Sequence, residues 1–243
     1  MRAEARLVAE PSATPDGGTR LSTVYGEPPL LWRRTGPDTV HLVGGAAGPL
    51  GGDALTIVVE VRAGARLCVR TVAASLAQPS HPKSRSHLRI HATVGAGAVL
   101  HWLPEPIVAV AGCDHLATST VDLAETAVLW WREEVVGGRH GEPAGDLRVA
   151  TTVRRGGRTL LRHDLAIGPR ADGWDGPAVL GARATGTLLV VDPAGDTLAV
   201  DPAADRPAGT EPHVLRLAGG PAVLVTATGE PRDVRAVLDK AST

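Results

Sequence analysis

The tripeptide Cys113-Asp114-His115 is the densest group of potential metal ligands in the chain. It offers a thiol, a carboxylate and an imidazole, which suit a soft or borderline transition metal. Successive side chains of a strand point to opposite faces, so these three groups cannot converge on one ion by themselves. The tripeptide alone therefore predicts no stable metal site.

Two further groups meet the same geometric obstacle. His87 and His91 face the same side of a strand but lie about 13 Å apart, too far to share one metal ion. Glu133 and Glu134 could do acid–base chemistry if one were buried. As strand neighbours they point to opposite faces, so we expect a solvated acid beside a half-buried one. The sequence contains no nucleophile elbow, zinc-binding helix or phosphate-binding loop.

Composition excludes several classes of protein. The 243 residues carry a formal net charge of −1, which disfavours nucleic acid and anionic membrane surfaces as partners. Two cysteines do not make a disulfide framework, and the N-terminus lacks the apolar segment of a signal peptide. No uncharged run approaches the ~18 residues that a membrane-spanning helix needs. We therefore predict a soluble, cytoplasmic protein.

Short strands must position these side chains. Apolar and polar residues alternate through residues 55–70 and again through residues 87–103, and a glycine interrupts each run. Gly156 and Gly157 predict a hairpin turn between two later strands. The Pro193–Asp196 turn predicts another hairpin. Regular strands separated by turns favour a fold dominated by β-structure.

The C-terminal segment alone has a helical pattern. Val234, Val237 and Leu238 share one face at helical spacing, which predicts a helix at about residues 230–241. No composition shift marks a firm domain boundary. We therefore expect residues 1–243 to form a single domain.

Two segments of the predicted strands echo one another. Arg62–Thr71 and Gly95–Pro104 each run from Gly-Ala through a spacer into an apolar strand. Such an echo is typical of a stacked β-array, in which each turn of chain lies on the last. Because alanine and glycine are abundant in this chain, a chance match stays an alternative.

Four blocks between about residues 28 and 143 resemble, in order, the urease accessory protein UreD (UreH) family. They are the approach to Gly51-Gly52-Asp53, the Gly64-Ala65 strand ending in Thr71–Ser75, Gly97–Glu105, and the acidic strand before Gly138-Arg139 and Gly141-Glu142. The departures are few. His101 replaces the family's usual Glu, Glu105 its Gln and Val72 its Gln, while Leu76 stands where Lys is common.

The resemblance implies a fold and a role. The fold is a β-helix-like stack of short strands with helices near the C-terminus. The role is a non-enzymatic chaperone in urease maturation, which binds apo-urease and the accessory protein UreF. UreF in turn recruits the GTPase UreG, which carries nickel. The resemblance further implies transient passage of Ni²⁺ through an internal tunnel, with no stably bound cofactor.

Particular residues carry these expectations. The first candidates for a nickel path are the carboxylates of Asp53 and Glu142, and the further candidates are Glu134, Glu105, His101 and Asp114. A turn cap is the alternative role of Asp53, and an ion pair with Arg139 that of Glu142. The candidates for a partner interface are Trp102, Leu103, Pro104 and Arg139. Core packing is the alternative role of Trp102 and Leu103.

Two functions of other classes stay open. One is a stand-alone metal-binding protein that uses Cys68, Cys113 and histidines. The other is a β-solenoid hydrolase that uses scattered carboxylates, which would turn over a substrate by itself.

Overall fold

The computed structural model describes residues 1–13, 18–173, 182–195 and 209–241. Within these ranges the chain forms strands followed by one helix. The elements in chain order are β1 (Arg2–Pro11), β2 (Thr19–Gly26), β3 (Leu30–Arg34), β4 (Thr39–Gly44), β5 (Ala54–Val61), β6 (Arg66–Thr71), β7 (Ser75–Ala77), β8 (Ser86–Val94), β9 (Val99–Leu103), β10 (Ile107–Ala109), β11 (Asp114–Leu123), β12 (Val128–Gly137), β13 (Asp146–Arg155), β14 (Arg158–Ile167), β15 (Ala184–Val191), β16 (Glu211–Leu217), β17 (Ala222–Gly229) and α1 (Pro231–Lys240).

The strands form two sheets whose apolar faces meet in the main core. Sheet A has the order β14-β13-β11-β8-β5-β1-β2, and sheet B has the order β16-β17-β15-β12-β9-β6-β4-β3. From β5 to β13 the long strands alternate between the sheets, and each pairs in parallel with the equivalent strand of the preceding coil. This is the predicted β-helix-like stack, and antiparallel strands cover its ends.

The echo between the two glycine-alanine segments is a true structural repeat. Leu67 pairs in register with Leu100, and Leu100 pairs with Leu129, so a third copy follows in β12. The repeat works because equivalent apolar side chains stack in the core between the sheets. The members of this ladder are all buried: Ala65, Ala98 and Ala127; Leu67, Leu100 and Leu129; Val69, Trp102 and Trp131.

Short parallel strands form a third, narrow wall along one side of the stack, beside sheets A and B. β7 pairs in parallel with β10, and β10 pairs in parallel with Val135–Gly137 at the end of β12. Each of these strands has only three residues in the ladder, so this wall is narrower than either sheet. The interior cavities described below lie beside it.

The C-terminal helix packs on the outer face of sheet B. Val234, Val237 and Leu238 are its buried residues, as their spacing predicted. Gly186 of β15 lies under the helix, where an added Cβ would come within 2.7 Å of the Leu238 side chain. The absence of a side chain at Gly186 therefore lets the helix approach the sheet closely.

Other predicted elements have mixed outcomes. The hairpin at Gly156 and Gly157 is confirmed as the β13–β14 turn, and both glycines have positive φ. The hairpin predicted around Pro193–Asp196 extends outside the described residues. No helix in the described ranges has the length and apolar character to cross a membrane.

Candidate functional site

Three neighbouring cavities follow one another between the sheets. The outer cavity, of about 270 Å³, has the exposed Val72 and Leu76 at its mouth and Ile57 inside it. The middle cavity, of about 60 Å³, shares Ile57 with the outer one and is also lined by Glu133. The far cavity, of about 10 Å³, shares Glu133 with the middle one and reaches His163 on the edge strand β14. The three cavities are thus neighbours through shared lining residues, Ile57 and Glu133.

Glu133 is a half-buried carboxylate in the midst of this interior space. Strand alternation puts it on the same face as the buried Trp131 and Val135. The Trp131 Nε1–H donates to its Oε1 at 3.1 Å, as do the hydroxyls of Ser119 at 3.4 Å and Thr151. These donors stabilise a negative charge that would otherwise be costly to bury. An acid on the apolar face of β12 is visible in the sequence, but strand alternation alone did not show that a cavity faces it.

Glu134 points to the opposite face and belongs to a buried ion-pair cluster under α1. Arg132, which is 1% exposed, contacts the Glu134 carboxylate through Nε at 3.2 Å. Arg235 of the helix contacts the same carboxylate at 2.9 Å and makes a two-pronged bond to Glu105. These bonds from Arg235 lower the pKa of Glu105. The expectation that one acid of the Glu133-Glu134 pair is solvated is wrong, because Glu134 is buried and Glu133 half-buried.

Asp53 lies in the turn before β5, close to Gly48 in the wall of the outer cavity. Its Oδ2 accepts a bond from the backbone N–H of Leu50 at 2.8 Å, and its Oδ1 contacts the Met1 ammonium at 2.8 Å. Both carboxylate oxygens are therefore engaged. The geometry favours the turn-cap role, which satisfies backbone donors where the chain reverses.

Glu142 lies in the loop between β12 and β13. The backbone and guanidinium N–H groups of Arg139 donate to both of its carboxylate oxygens at 2.9–3.0 Å. These bonds lower the pKa of Glu142 to about 2. The geometry favours the ion-pair alternative, and the pair closes the loop after Gly138, whose φ is positive.

The described ranges contain no cluster of side chains that could hold a metal ion stably. No group of three or more His, Cys, Asp or Glu side chains there is arranged to hold an ion. Cys113 is fully buried in a turn, whereas Cys68 is half-buried on β6. Asp114 and His115 do point to opposite sides of their strand, as alternation predicted.

The comparison with known proteins identifies the family. The model of the UreD urease accessory protein family matches residues 1–239. The chain belongs to the UreD family of urease accessory proteins. It is 47% identical over 252 residues to Urease accessory protein UreD 3 of Streptomyces griseus subsp. griseus, covering 99% of this chain and 95% of that protein. It is 43% identical to the UreD of Streptomyces avermitilis, with 99% and 96% covered, and 43% identical to UreD 2 of Saccharopolyspora erythraea, with 93% and 82% covered.

The third UreD-like block, Gly97–Glu105, lies in the wall between the core and the helix. Trp102 stacks on Trp131 with the ring centroids 5.1 Å apart and is buried, which favours core packing. Leu103 is buried on the helix side, and the carbonyl oxygen of Pro104 accepts a bond from Arg132 at 3.1 Å. Arg139, from the fourth UreD block, is the exposed member of the interface candidates.

His101 and Asp114, the remaining path candidates, lie away from Glu133. His101 is on the outer face of sheet B, with its ring 5.2 Å from that of Trp130, and burial lowers its pKa. Asp114 lines a separate cleft and pairs with Arg85 at 2.8 Å and Arg170 at 2.7 Å. Of the six path candidates of this UreD chain, Glu105 and Glu134 are the two that line the middle cavity.

Proposed function

We propose that this chain is a scaffold for urease maturation that supplies an interior route for Ni²⁺. In this role it binds apo-urease and UreF, recruits the GTPase UreG through UreF, and turns over no substrate itself. Membership of the UreD family supports the maturation role. The observation that carries the nickel route is Glu133, a carboxylate that lines two of the three successive cavities.

The surroundings of Glu133 suit an ion that must move on. A nickel ion takes nitrogen and oxygen ligands, and a route must offer them in small numbers so that each step is reversible. Glu133 provides carboxylate oxygen, and Ser119, Trp131 and Thr151, which donate to it, are neutral groups rather than competing cations. In contrast, Glu105 and Glu134 are held by arginines, so we assign them to the wall of the route. Asp53, Glu142 and Asp114 are likewise held by cations and are assigned structural roles.

Urease activity in nickel-fed cells tests the maturation role. The cells express the urease subunits with UreF, UreG and the nickel-binding helper protein, with and without this chain. We expect activity only when the chain is present, and co-purification of the chain with UreF and apo-urease. Equal activity without the chain, while the other components are shown to work, would contradict the proposal.

The variant Glu133→Gln tests the route itself. It keeps the size and most hydrogen bonds of the side chain but removes the charge, so we expect urease activation to fall about 10-fold or more at limiting nickel. The matched control is Glu125→Gln, which neutralises an exposed carboxylate. Equal activation by the two variants, with co-purification intact, would remove Glu133 from the route. Tight stoichiometric Ni²⁺ binding by the isolated chain, lost in Cys113→Ser, would instead favour a metal-binding protein.

A further inference from the structure

His115 is the one fully buried histidine among the residues that the structure describes. Its side chain is 1% exposed and lies on the inner face of β11, where it lines the outer cavity. The same side chain also lines the open cleft that contains Asp114 and Asp146. His115 therefore forms part of the partition between the cleft and the interior.

The hydrogen bonds of His115 leave one ring nitrogen unused. Nδ1 lies 2.8 Å from the hydroxyl oxygen of the buried Ser86, whose own proton can be directed at the Asp114 carbonyl oxygen 3.5 Å away. This arrangement is satisfied when Nδ1–H donates to Ser86, which leaves a lone pair on Nε2. Nε2 is buried and has no hydrogen-bond partner. Since buried polar atoms are almost always paired, this one requires an explanation.

A bound transition metal ion would satisfy this nitrogen. Imidazole is a common ligand of such ions, and a metal-binding histidine usually donates its other N–H to an oxygen that fixes the ring. Ser86 supplies that oxygen here. Mg²⁺ and Ca²⁺, in contrast, prefer oxygen ligands, so an imidazole discriminates against both.

A second imidazole lies at the other end of the cavities. His163 lines the far cavity together with Glu133, and its strand partner Thr151 donates a hydrogen bond to Glu133. Carboxylates also suit hard cations such as Mg²⁺ and Ca²⁺, so a route lined only by carboxylates would select poorly for nickel. The two imidazoles lie on either side of Glu133 along the row of cavities, and imidazole nitrogen suits transition metals better than it suits hard cations.

We propose that His115 is a selectivity residue of the interior route, whose Nε2 binds Ni²⁺ transiently in preference to Mg²⁺. His163 acts as a second nitrogen ligand beyond Glu133. The inference rests on the proposed route for nickel and adds to it the basis on which the ion is chosen. One imidazole with few neighbours binds weakly, which agrees with a transfer function.

Nuclear magnetic resonance of the wild-type chain, with ¹⁵N-labelled histidine rings, tests this directly. Substoichiometric Ni²⁺ is added in the presence of excess Mg²⁺, and paramagnetic broadening of each ring signal is measured. We expect the His115 signals to broaden, and His115→Gln both assigns and abolishes them. His91, on the exposed face of β8, is the control. Broadening confined to exposed histidines would overturn the inference.

Activation in cells separates this inference from the route on which it rests. His115→Gln is expected to lower urease activation about 10-fold at limiting nickel, and added nickel should restore it because a ligand rather than the assembly is lost. Ser86→Ala should weaken nickel binding in the same direction, since the ring loses the bond that orients it. If Glu133→Gln impairs activation while His115→Gln matches His91→Gln at every nickel level, the route stands and the role of His115 is refuted.

Discussion

Adjacent residues of β12 show how a single peptide step decides the role of a side chain. Glu133 and Glu134 carry the same carboxylate and both line the middle cavity, yet Glu133 also lines the far cavity, whereas Glu134 is paired with Arg235 of the helix. Burying either charge is costly unless it is compensated. Neutral donors compensate Glu133, whereas Arg132 and Arg235 compensate Glu134. The Glu133 carboxylate is thus bonded to neutral groups, and the Glu134 carboxylate to arginines.

The buried His115 makes stability depend on pH. Burial is the largest cause that lowers its pKa, from 6.5 to about 4. Because the folded-state pKa is depressed, the full contribution of His115 to the free energy of unfolding is present above pH 6.5. That contribution is lost between pH 6.5 and 4, where the unfolded chain takes up a proton and the folded chain does not. The total loss is about 3 kcal/mol. Urea unfolding over this pH range should show it as a difference between the wild type and His115→Gln.

The difference in free energy of unfolding between the wild type and His115→Gln reports on His115 alone, because the contributions of the other titrating groups cancel. Glu105 and Glu142, whose pKa values are lowered by arginine bonds, titrate equally in both proteins. His91→Gln, at an exposed position, is the matched control for a histidine-to-glutamine change. Parallel curves for the wild type and His115→Gln would show that the ring is hydrated in the folded state.

Gly51 explains why the UreD-like Gly-Gly-Asp block begins with glycine. A Cβ at this position would lie 2.3 Å from the Ser80 hydroxyl oxygen and 2.7 Å from the Ser84 carbonyl oxygen. Gly51→Ala should therefore lower the free energy of unfolding by about 1–3 kcal/mol, measured by urea denaturation. Gly44→Ala, whose Cβ would meet nothing closer than 3.8 Å, is the control and should change it by less than about 0.5 kcal/mol. Equal effects would show that the turn can shift.

At the scale of elements, a buried ion-pair cluster joins α1 to the stack. Arg132 bonds to Asp239 at 2.6 Å and to the carbonyl oxygen of Pro104, while Arg235 joins Glu134 and Glu105. The apolar face of the helix supplies most of the burial, and the ion pairs fix its position. Arg132, Glu105 and Glu134 line the middle cavity and are also bonded to residues of the helix. The helix thus covers one wall of that cavity.

Arg132→Met tests this attachment. Removing one partner leaves Glu134 with Arg235 alone, and we expect the free energy of unfolding to fall by about 3 kcal/mol. Arg62→Met, at an exposed ion pair with Glu10, should cost less than about 1 kcal/mol. Urea unfolding gives both values, and hydrogen exchange should show faster opening of α1 in Arg132→Met only.

The double variant Arg132→Met/Glu134→Met identifies the cause. Replacing a buried ion pair by apolar side chains is often neutral, so the second change should restore part of the lost stability. If it lowers stability further instead, the attachment depends on the arginine bonds to Asp239 and Pro104 rather than on charge compensation.

At the scale of the whole molecule, stability comes from the stacking of coils. Each coil places the same kind of side chain over that of the coil before it, as the alanines Ala65, Ala98 and Ala127 show. A small residue recurs there because the chain turns from sheet A into sheet B at that level. The three alanines belong to one apolar core that neighbouring coils share.

Ala98→Leu tests the packing of this alanine layer. Ala98 is fully buried between two neighbouring coils, so the larger side chain should lower the free energy of unfolding by about 1–3 kcal/mol. Urease activation should fall only as far as the folded fraction does, because this layer lies away from Glu133. Ala63→Leu, at an exposed turn, is the control and should be nearly neutral. A larger loss of activation than of folded protein would place the alanine layer on the nickel route.

The sequence by itself determined the local features of this protein. Period-two alternation set the inward faces of β5 and β8, helical spacing set the buried face of α1, and Gly156-Gly157 set a hairpin. It determined the family as well, because four blocks keep their order along the chain. These features depend on neighbours within a few residues or on matches to a known pattern.

Only the tertiary structure decided which groups share a space. Glu133, Thr151 and His163 come from three strands in two sheets, and no spacing along the chain predicts that they meet. The same holds for Glu105 and Arg235, which are joined across the helix–sheet interface. Alternation tells which face a side chain takes, but the partner on that face depends on how the coils stack. For that reason the sequence could propose carboxylates for a nickel path, whereas the position of Glu133 between two cavities became visible only in the fold.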